Sequence, residues 1–190
     1  MRASTLLGLF AAAAFGCADD PKPLTGQASW TDGCPMNACV SGAHSVRGAQ
    51  GSPTVDVECA LAPASGGYTV FFRIAALAIA GQSFDESREG LYALGFLPGV
   101  GRELQVSDGA GYVRVRGNGW EVRNATLGAS GACHVFVDTV ANGGFTGRIN
   151  CEGMRDDATP PNTRFIRGNA GAAMANFGEF VFTNCATTTP

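Results

Sequence analysis

Alternation of apolar and polar residues is the feature that most constrains how this chain can fold. Between residues 55 and 61 every second residue is apolar, and Asp56 and Glu58 occupy positions between them. Residues 68–74 and 103–106 repeat the pattern. Successive side chains of a β-strand point to opposite faces of a sheet, so the alternation predicts half-buried strands. The 27 glycines among 190 residues also disfavour helices, because a glycine inside a helix costs about 1 kcal/mol relative to alanine.

A Gly-Asn-Gly sequence at residues 117–119 is flanked by alternating residues and predicts a hairpin. A turn centred on its first two residues places Arg114 opposite Glu121, whereas a turn centred on its last two places Arg114 opposite Arg123. The second turn uses the preferred Asn-Gly pair but sets two like charges against each other. The register therefore stays open, although both versions turn the same apolar faces inward.

Cys133 and Cys151 belong to a second hairpin, in which the turn, the apolar face and the cysteines all agree on one register. A three-residue turn at residues 141–143 places the two cysteines directly opposite each other and Val135 opposite Ile149. A shift by one residue would invert every side chain and separate the two sulfurs. This register predicts a Cys133–Cys151 disulfide.

Cys34 and Cys39 lie only five positions apart, close enough in the chain to bridge each other. The surrounding residues 30–54 show no periodicity, and we expect this stretch to be irregular. A Cys34–Cys39 disulfide would staple a segment that has no secondary structure of its own.

The last predicted strand covers residues 177–185. Phe180 and Phe182 lie on one face and Val181 on the other, which indicates a central place in a sheet. Cys185 then pairs most naturally with Cys59 in an early strand, although other connectivities of the six cysteines remain open.

Residues 80–102 interrupt the strand pattern. Residues 83–86 have the spacing of a capping box, which predicts a short helix over residues 84–89. The apolar residues 91–97 that follow belong either to a loop with its own helix or to another strand pair.

The first 16 residues have the features of an export signal. A single positive charge at Arg2 precedes a short apolar core that is too short to span a membrane, and small residues follow. Six cysteines remain beyond Cys17, and an even set in an exported chain favours a disulfide framework. Cys17 is the seventh and needs an explanation of its own.

Gly16 and Cys17 resemble the lipobox of bacterial lipoproteins, in which a small residue precedes a cysteine that is diacylated and becomes the new N-terminus. The resemblance implies a lipid (palmitate-type) anchor at Cys17 and localisation in the bacterial cell envelope, at the outer membrane because Ala18 follows. Cleavage after Ala18 by an ordinary signal peptidase remains an alternative. We expect an acylated tether over residues 17–29, with Pro21, Pro23 and Gly26, and one β-domain over residues 30–190.

Charge and composition narrow the partners. The chain has 13 basic and 16 acidic residues, which argues against a nucleic-acid partner. The glycine-rich stretches lack the context of nucleotide sites, so no cofactor is expected. Cys34 and Cys39 with His44 have a superficial zinc-site spacing, but export favours the disulfide and we predict no metal.

Acidic and basic clusters give weaker indications of a site. Two acidic clusters, Asp85 with Glu86 and Glu89, and Glu152 with Asp156 and Asp157, follow no calcium-loop pattern. His44 has no carboxylate or serine at a spacing that suggests a catalytic triad, and His134 is expected to be a surface side chain beside Asn150. A small basic spot is formed in sequence by Arg155, Arg164 and Arg167.

A lipidated N-terminus, a polar tether and a β-domain whose Cys59 could bond Cys185 are also similar in layout to the mycobacterial 19 kDa lipoprotein antigen family. The resemblance implies a surface antigen or adhesin that is not an enzyme. The additional cysteine pairs, Cys34 with Cys39 and Cys133 with Cys151, depart from that family.

The sequence therefore predicts an all-β fold, an antiparallel sandwich or flattened barrel of seven to nine strands stapled by disulfides. The expected function is that of an envelope lipoprotein whose non-catalytic β-domain binds a protein partner or a cell-wall component. Two alternatives remain. One is a carrier of a small molecule or lipid, with an apolar pocket near residues 91–97. The other is a secreted hydrolase that uses carboxylates such as Asp85 or Glu86.

Overall fold

The computed structural model is all-β, with two antiparallel sheets of seven and five strands. It describes residues 22–37, 39–107, 111–128, 132–157, 161–168 and 176–187. The larger sheet contains β1 (Thr25–Gly33), β2 (Gly42–Ala49), β6 (Arg102–Glu103), β9 (Cys133–Ala141), β10 (Gly144–Arg155), β11 (Thr163–Arg167) and β12 (Gly178–Thr183). The smaller sheet contains β3 (Val55–Ala64), β4 (Gly67–Ala76), β5 (Glu89–Leu97), β7 (Tyr112–Gly117) and β8 (Trp120–Thr126). The described residues thus form twelve strands, more than the seven to nine expected.

In the larger sheet, the short strands β11 and β12 lie end to end and together fill one place in the strand order. β1 pairs with β2 on one side, and on its other side with β12 along its first half and with β11 along its second half. β10 pairs with the same two strands in the same order and with β9 on its far side. β11 and β12 therefore lie end to end between β1 and β10, while β2 and β6 form the two edges of the sheet.

The two edge strands of the smaller sheet, β3 and β8, lie near opposite ends of the larger sheet. β3 passes over one end of the larger sheet, where a Cβ on Gly26 would lie only 2.8 Å from Val57. β8 passes over the opposite end, where Leu127 bridges to Cys133.

The core between the sheets is centred on four phenylalanines. The ring of Phe72 on β4 lies 4.5 Å from that of Phe180, 5.0 Å from that of Phe182 and 5.9 Å from that of Phe145, measured between centroids. All four side chains are buried. Tilted aromatic packing of this kind adds about 1 kcal/mol per pair beyond the area that it buries, and here it joins one sheet to the other.

The expected tether over residues 17–29 is wrong in its second half. β1 begins at Thr25, Leu24 is buried, and Ala28 is fully buried inside the larger sheet. The sequence conceals the start of this strand because its first two inward residues, Gly26 and Ala28, are small. Gly26 leaves the space that the ring of Phe182 occupies, so a neighbouring strand supplies the apolar bulk. The β-domain thus begins before residue 30, and residues 1–16 and Cys17 lie outside the described residues.

The stretch 30–54, expected to be irregular, also contains regular structure. β1 and β2 pair from Thr25 opposite Ala49 to Asp32 opposite Gly42. Polar residues that face inward, notably Asp32 and His44, hide the alternation because they occupy positions where apolar residues would be expected.

The hairpin of Cys133 and Cys151 has the predicted register over most of its length. Cys133 lies opposite Cys151, and Val135 lies opposite Ile149. A bulge then shifts the pairing, and the strands close through a two-residue turn at Asn142 and Gly143, both of which have positive φ. The predicted three-residue turn is therefore wrong, because the Asn-Gly pair adopts the left-handed conformations that a tight hairpin prefers.

The hairpin at residues 117–119 turns at Asn118 and Gly119, since Gly117 pairs with Trp120 and Arg116 with Glu121. A bulge between Val113 and Val115 removes the like-charge opposition that this turn would otherwise impose. Arg114 instead donates to Glu121, with Nη2 2.6 Å from Oε1.

Residues 80–102 contain a helix that is shorter than predicted, and a strand follows it. A 3-10 helix at Phe84–Glu86 replaces the longer helix, and Glu86 accepts the Ser83 backbone N–H as in a capping box. The apolar residues that follow form β5, which pairs with β4 and β7. β12 is central, as predicted, but Val181 on its outer face is 42 % exposed, so only one face is buried.

Candidate functional site

Three disulfides join the cysteine pairs expected from position: Cys34–Cys39, Cys59–Cys185 and Cys133–Cys151. The first closes the loop between β1 and β2. The second ties β3 of the smaller sheet to the segment after β12 of the larger sheet, and the third crosses the β9–β10 hairpin. These bonds fix the edges and ends of the sandwich, so the outer faces of the sheets rest on a rigid frame.

The outer face of the larger sheet carries a row of chemically mixed side chains. On β9 the inward residues are apolar, while His134, Phe136 and Asp138 point outward. On β10 the same alternation turns Arg148 and Asn150 outward. The cross-strand register sets Phe136 beside Arg148 and His134 beside Asn150, as predicted for the histidine.

The guanidinium of Arg148 lies between two aromatic rings. Its Cζ is 5.1 Å from the ring centroid of Phe136 and 5.1 Å from that of Phe177. The two rings meet edge to face, with centroids 6.0 Å apart. Arg148 also donates from Nε to Asp138 at 2.9 Å. The cation–π contacts join the Arg148 guanidinium to both rings, and the ion pair with Asp138 restricts the same guanidinium. Together these interactions hold the two rings in place.

This aromatic unit borders a chain of shallow grooves. One of about 430 Å³ is lined by His134, Phe136, Asn150, Glu152, Arg167, Asn176 and Phe177. A second, of about 570 Å³, continues from Phe136 past Arg102 and Glu103 at the β6 edge. A third, of about 230 Å³, lies on the other side of Arg148, next to Asp138 and Glu179. Together they form what we call the outer groove of the larger sheet.

Two arginines and one histidine of the outer groove each bond a carboxylate. Arg148 bonds Asp138, and Arg167 donates from Nη2 to Glu152 at 3.0 Å. The Nδ1 of His134 lies 2.7 Å from Oε1 of Glu103. Arg102 and Glu179 also line the groove, which therefore presents both signs of charge in nearly equal number, together with hydrogen-bonding groups and ring surfaces.

A buried network of charges lies at the opposite edge of the larger sheet, beneath β2. His44 stands between two carboxylates, with Nε2 2.6 Å from Oδ1 of Asp32 and Nδ1 2.5 Å from Oε2 of Glu89. Its ring stacks on Trp30 at 5.0 Å. Burial lowers the pKa of His44, but the hydrogen bonds that the ring makes to the carboxylates of Asp32 and Glu89 outweigh it and raise the pKa above its ordinary 6.5.

Arg164 extends this network towards β8. It donates from Nη1 to Asp32 at 2.7 Å and from Nε to Asp156 at 2.6 Å. Its Cζ lies 4.0 Å from the ring centroid of Trp120. Asp32 thus receives two cationic partners in the interior, which satisfies a carboxylate that is only 1 % exposed.

The network does not have the geometry of a metal centre. The two ring nitrogens of His44 point to carboxylates on opposite sides of the imidazole, so the three groups do not converge on one point. Within the described residues, no group of three or more His, Cys, Asp or Glu side chains is arranged to hold a metal ion. Both histidines bond carboxylates through the nitrogens named above.

The acidic residues singled out in the sequence are separated by the fold. Asp85 pairs with Arg114, whose hydrogen bond lowers the pKa of Asp85, and Glu86 accepts the Ser83 backbone N–H. Glu89 belongs to the His44 network instead. The second cluster divides in the same way, because Glu152 bonds Arg167, Asp156 bonds Arg164, and Asp157 accepts the backbone N–H of Glu121.

The basic spot is divided as well. Arg164 and Arg167 are three positions apart on β11, and a strand turns such residues to opposite faces. Arg164 is buried in the His44 network, whereas Arg167 lines the outer groove.

Residues 91–97, the expected location of an apolar pocket, lie in a packed region. Leu91, Ala93 and Leu97 are fully buried between the sheets. Tyr92 faces outward and stacks on Tyr112 at 5.2 Å. Burial and the hydrogen bond with Tyr112 raise the pKa of Tyr92. β5 thus contributes its apolar side chains to the core.

The sequence reasoning missed the His44 network and the outer groove. The network could have been found from the inward register of a β1–β2 hairpin, which sets Asp32 next to His44 across the strands. The groove depends on Phe177, which reaches the other groove residues from a separate part of the chain and has no signal in sequence.

Comparison with known proteins finds no matching family model, no matching curated protein and no matching solved structure. In the part of the chain that the structure describes, no helix is both long enough and apolar enough to cross a membrane.

Proposed function

We propose that this chain is an exported lipoprotein of the bacterial envelope whose β-domain binds a partner through the outer groove of the larger sheet. The observation that carries the proposal is the Phe136–Arg148–Phe177 unit. Two half-buried rings contact one arginine, which itself bonds Asp138, and together they form a pre-organised contact surface. Ligand sites combine ring surfaces with a few fixed polar groups in this way.

Rigidity supports a binding role. The groove lies on strands β9 and β10, whose hairpin is closed by the Cys133–Cys151 disulfide. A site on paired strands loses little conformational entropy when a ligand binds, and affinity rises when this cost is small. His134 and Asn150 lie on the same two strands, so their side chains share this frame.

Residues in the first part of the chain support the envelope location. Gly16 and Cys17 have the lipobox pattern, and the six remaining cysteines form three disulfides, which accords with maturation in an oxidising compartment. In this proposal, acylated Cys17 anchors the chain, and the short segment up to Leu24 links the anchor to β1.

The test distinguishes binding through the outer groove from attachment through the lipid anchor. A Cys17→Ser chain, released from its lipid, is mixed with isolated envelopes of the source cell and sedimented. We expect it to bind the envelopes, and we expect Phe136→Ala in the same background to weaken binding about tenfold, as loss of an aromatic anchor commonly does.

Phe96→Ala is the matched control, because Phe96 lies on the smaller sheet and lines none of the grooves given above. It should leave binding unchanged. Failure of the lipid-free chain to bind, or equal losses for Phe136→Ala and Phe96→Ala, would contradict the proposal.

A further inference from the structure

We infer that the ligand of the outer groove is a neutral saccharide chain. The inference rests on the proposed function and names the chemical class of its partner. It is carried by three features of the groove: balanced charge, hydrogen-bonding side chains between aromatic rings, and an elongated open shape.

Balanced charge excludes strongly charged ligands. Clefts that attract ions carry an excess of one sign. Here Arg148 pairs with Asp138 at 2.9 Å and Arg167 with Glu152 at 3.0 Å, Glu103 bonds His134, and the remaining Arg102 and Glu179 have opposite signs. A phosphate or sulfate would have to compete with these carboxylates for the arginines, and a polyamine would compete with the arginines for the carboxylates.

The polar groups of the groove suit hydroxyl groups. Carboxylates accept, guanidinium groups donate, and amide and imidazole side chains can do both, so a sugar hydroxyl, which donates and accepts, can bond any of them. Asn150 donates from Nδ2 to the Asn176 carbonyl at 2.6 Å, which fixes the plane of its amide beside His134. An apolar ligand would remove water from those donors and acceptors of the groove that the protein does not already bond, at a cost of about 1–3 kcal/mol for each one that loses its solvent.

The rings of Phe136 and Phe177 supply the complementary apolar surface. A pyranose ring has polar edges and two faces made of C–H groups, so its faces can pack on an aromatic ring while its hydroxyls reach the polar side chains. Phe136 borders two of the grooves, and it can therefore serve sugar units on either side.

The shape favours a chain over a single sugar. The grooves follow one another across the sheet from β6, past β9 and β10, to β12. Neighbouring strands are about 4.8 Å apart, so three intervals correspond to about 14 Å. The grooves are open at the surface, and the contact between Phe136 and Arg148 links them. A polymer could therefore lie along all three grooves and extend beyond both ends of the outer groove.

The experiment uses the Cys17→Ser chain and isolated envelopes of the source cell. One sample of envelopes is treated with periodate, which cleaves the vicinal diols of sugars, and another is treated with protease. We expect binding to fall at least tenfold after periodate and to survive protease. Binding that survives periodate and is abolished by protease would overturn the saccharide inference while leaving the proposed function intact.

Failure to bind untreated envelopes would instead contradict the proposed function itself.

The dependence of binding on salt concentration tests independently whether the saccharide is uncharged. Between 0.1 and 1 M salt the screening length falls from about 10 Å to about 3 Å, so a charged polymer would be released. We expect the dissociation constant to change less than about threefold, and a loss of tenfold or more would overturn the neutral assignment.

Point variants test whether the saccharide binds in the outer groove. His134→Ala should weaken binding to the envelope glycan by about tenfold, and Phe96→Ala should not change it. Thermal unfolding of both variants is measured to check that the β-domain is intact. Equal affinity of His134→Ala and the parent chain, together with undiminished binding by Phe136→Ala, would exclude this groove as the saccharide site.

Discussion

The Nε2 of His44 lies 2.6 Å from Oδ1 of Asp32, inside the sandwich and close to Trp30. The second ring nitrogen contacts Glu89 of the other sheet. An imidazole can donate from both nitrogens only when it is protonated. Protonated His44 can therefore donate to a carboxylate of each sheet, and because its pKa is raised, the strength of that link depends on pH.

The first prediction concerns stability as a function of pH. The pKa of His44 is raised in the folded protein, so its contribution is fully present below the unfolded value of about 6.5 and is lost as pH rises through the folded pKa. We expect the free energy of unfolding, measured by urea titration, to decline across this range. His44→Gln should abolish that decline and should cost about 3 kcal/mol at pH 6, because Asp32 and Glu89 lose a cationic partner.

His134→Gln is the control for this prediction, because His134 also bonds a carboxylate but is considerably more exposed. Its effect on the free energy of unfolding should stay below about 1 kcal/mol. A parent protein whose stability rises from pH 6 to pH 9 would contradict the assignment of His44 as a buried cation.

The second prediction concerns Gly26. A Cβ at this position would lie 2.7 Å from the Phe182 ring and 2.8 Å from Val57, in the layer between the two sheets. Gly26→Ala should lower the free energy of unfolding by about 1–3 kcal/mol through overpacking. Gln27→Ala, one residue away on the outer face, should change it by less than about 0.5 kcal/mol. Equal, small effects of both would mean that residues 25–29 are a tether after all.

The third prediction compares two disulfides. Cys59–Cys185 closes a separation of 126 residues, whereas Cys34–Cys39 closes one of five. In the loop-entropy account, losing the long closure costs about 5 kcal/mol and losing the short one about 2 kcal/mol. Double alanine variants of each pair, compared by urea unfolding, should show this order. The reverse order would imply that the short loop stabilises the fold in another way.

The fourth prediction concerns attachment to the membrane. Cys17→Ser removes the acylation site and should release the chain from membranes into the soluble envelope fraction. Mass spectrometry of the parent protein should find Cys17 at the N-terminus, carrying fatty acids. A mature N-terminus beyond Ala18 would show cleavage by an ordinary signal peptidase and would remove the lipid anchor from the proposed function.

Much of the fold was predictable because its signals are local. The Cys133–Cys151 register follows from alternation, and the strand at residues 55–61 needs no knowledge of its neighbours. β1 was not predictable in the same way, since Gly26 and Ala28 become buried only when Phe182 arrives from the far end of the chain.

The candidate site shows the same limit. His134 and Asn150 were placed side by side from the hairpin register, which is a property of one local segment. Phe177 joins them from after β11, and Glu103 from β6, so their approach depends on the tertiary arrangement. The pairing of His44 with Asp32 has no such local signal, because buried ions do not produce an apolar stripe.

The position of β1 has a mechanical consequence. β1 follows the N-terminal segment and is hydrogen-bonded along both sides, to β2 and to β12 and β11. Tension applied through the N-terminus acts along this strand, so it must shear many hydrogen bonds at once instead of unzipping them singly. A domain held at the cell surface by its N-terminus would thus resist drag from its surroundings at the strand best secured against being pulled out.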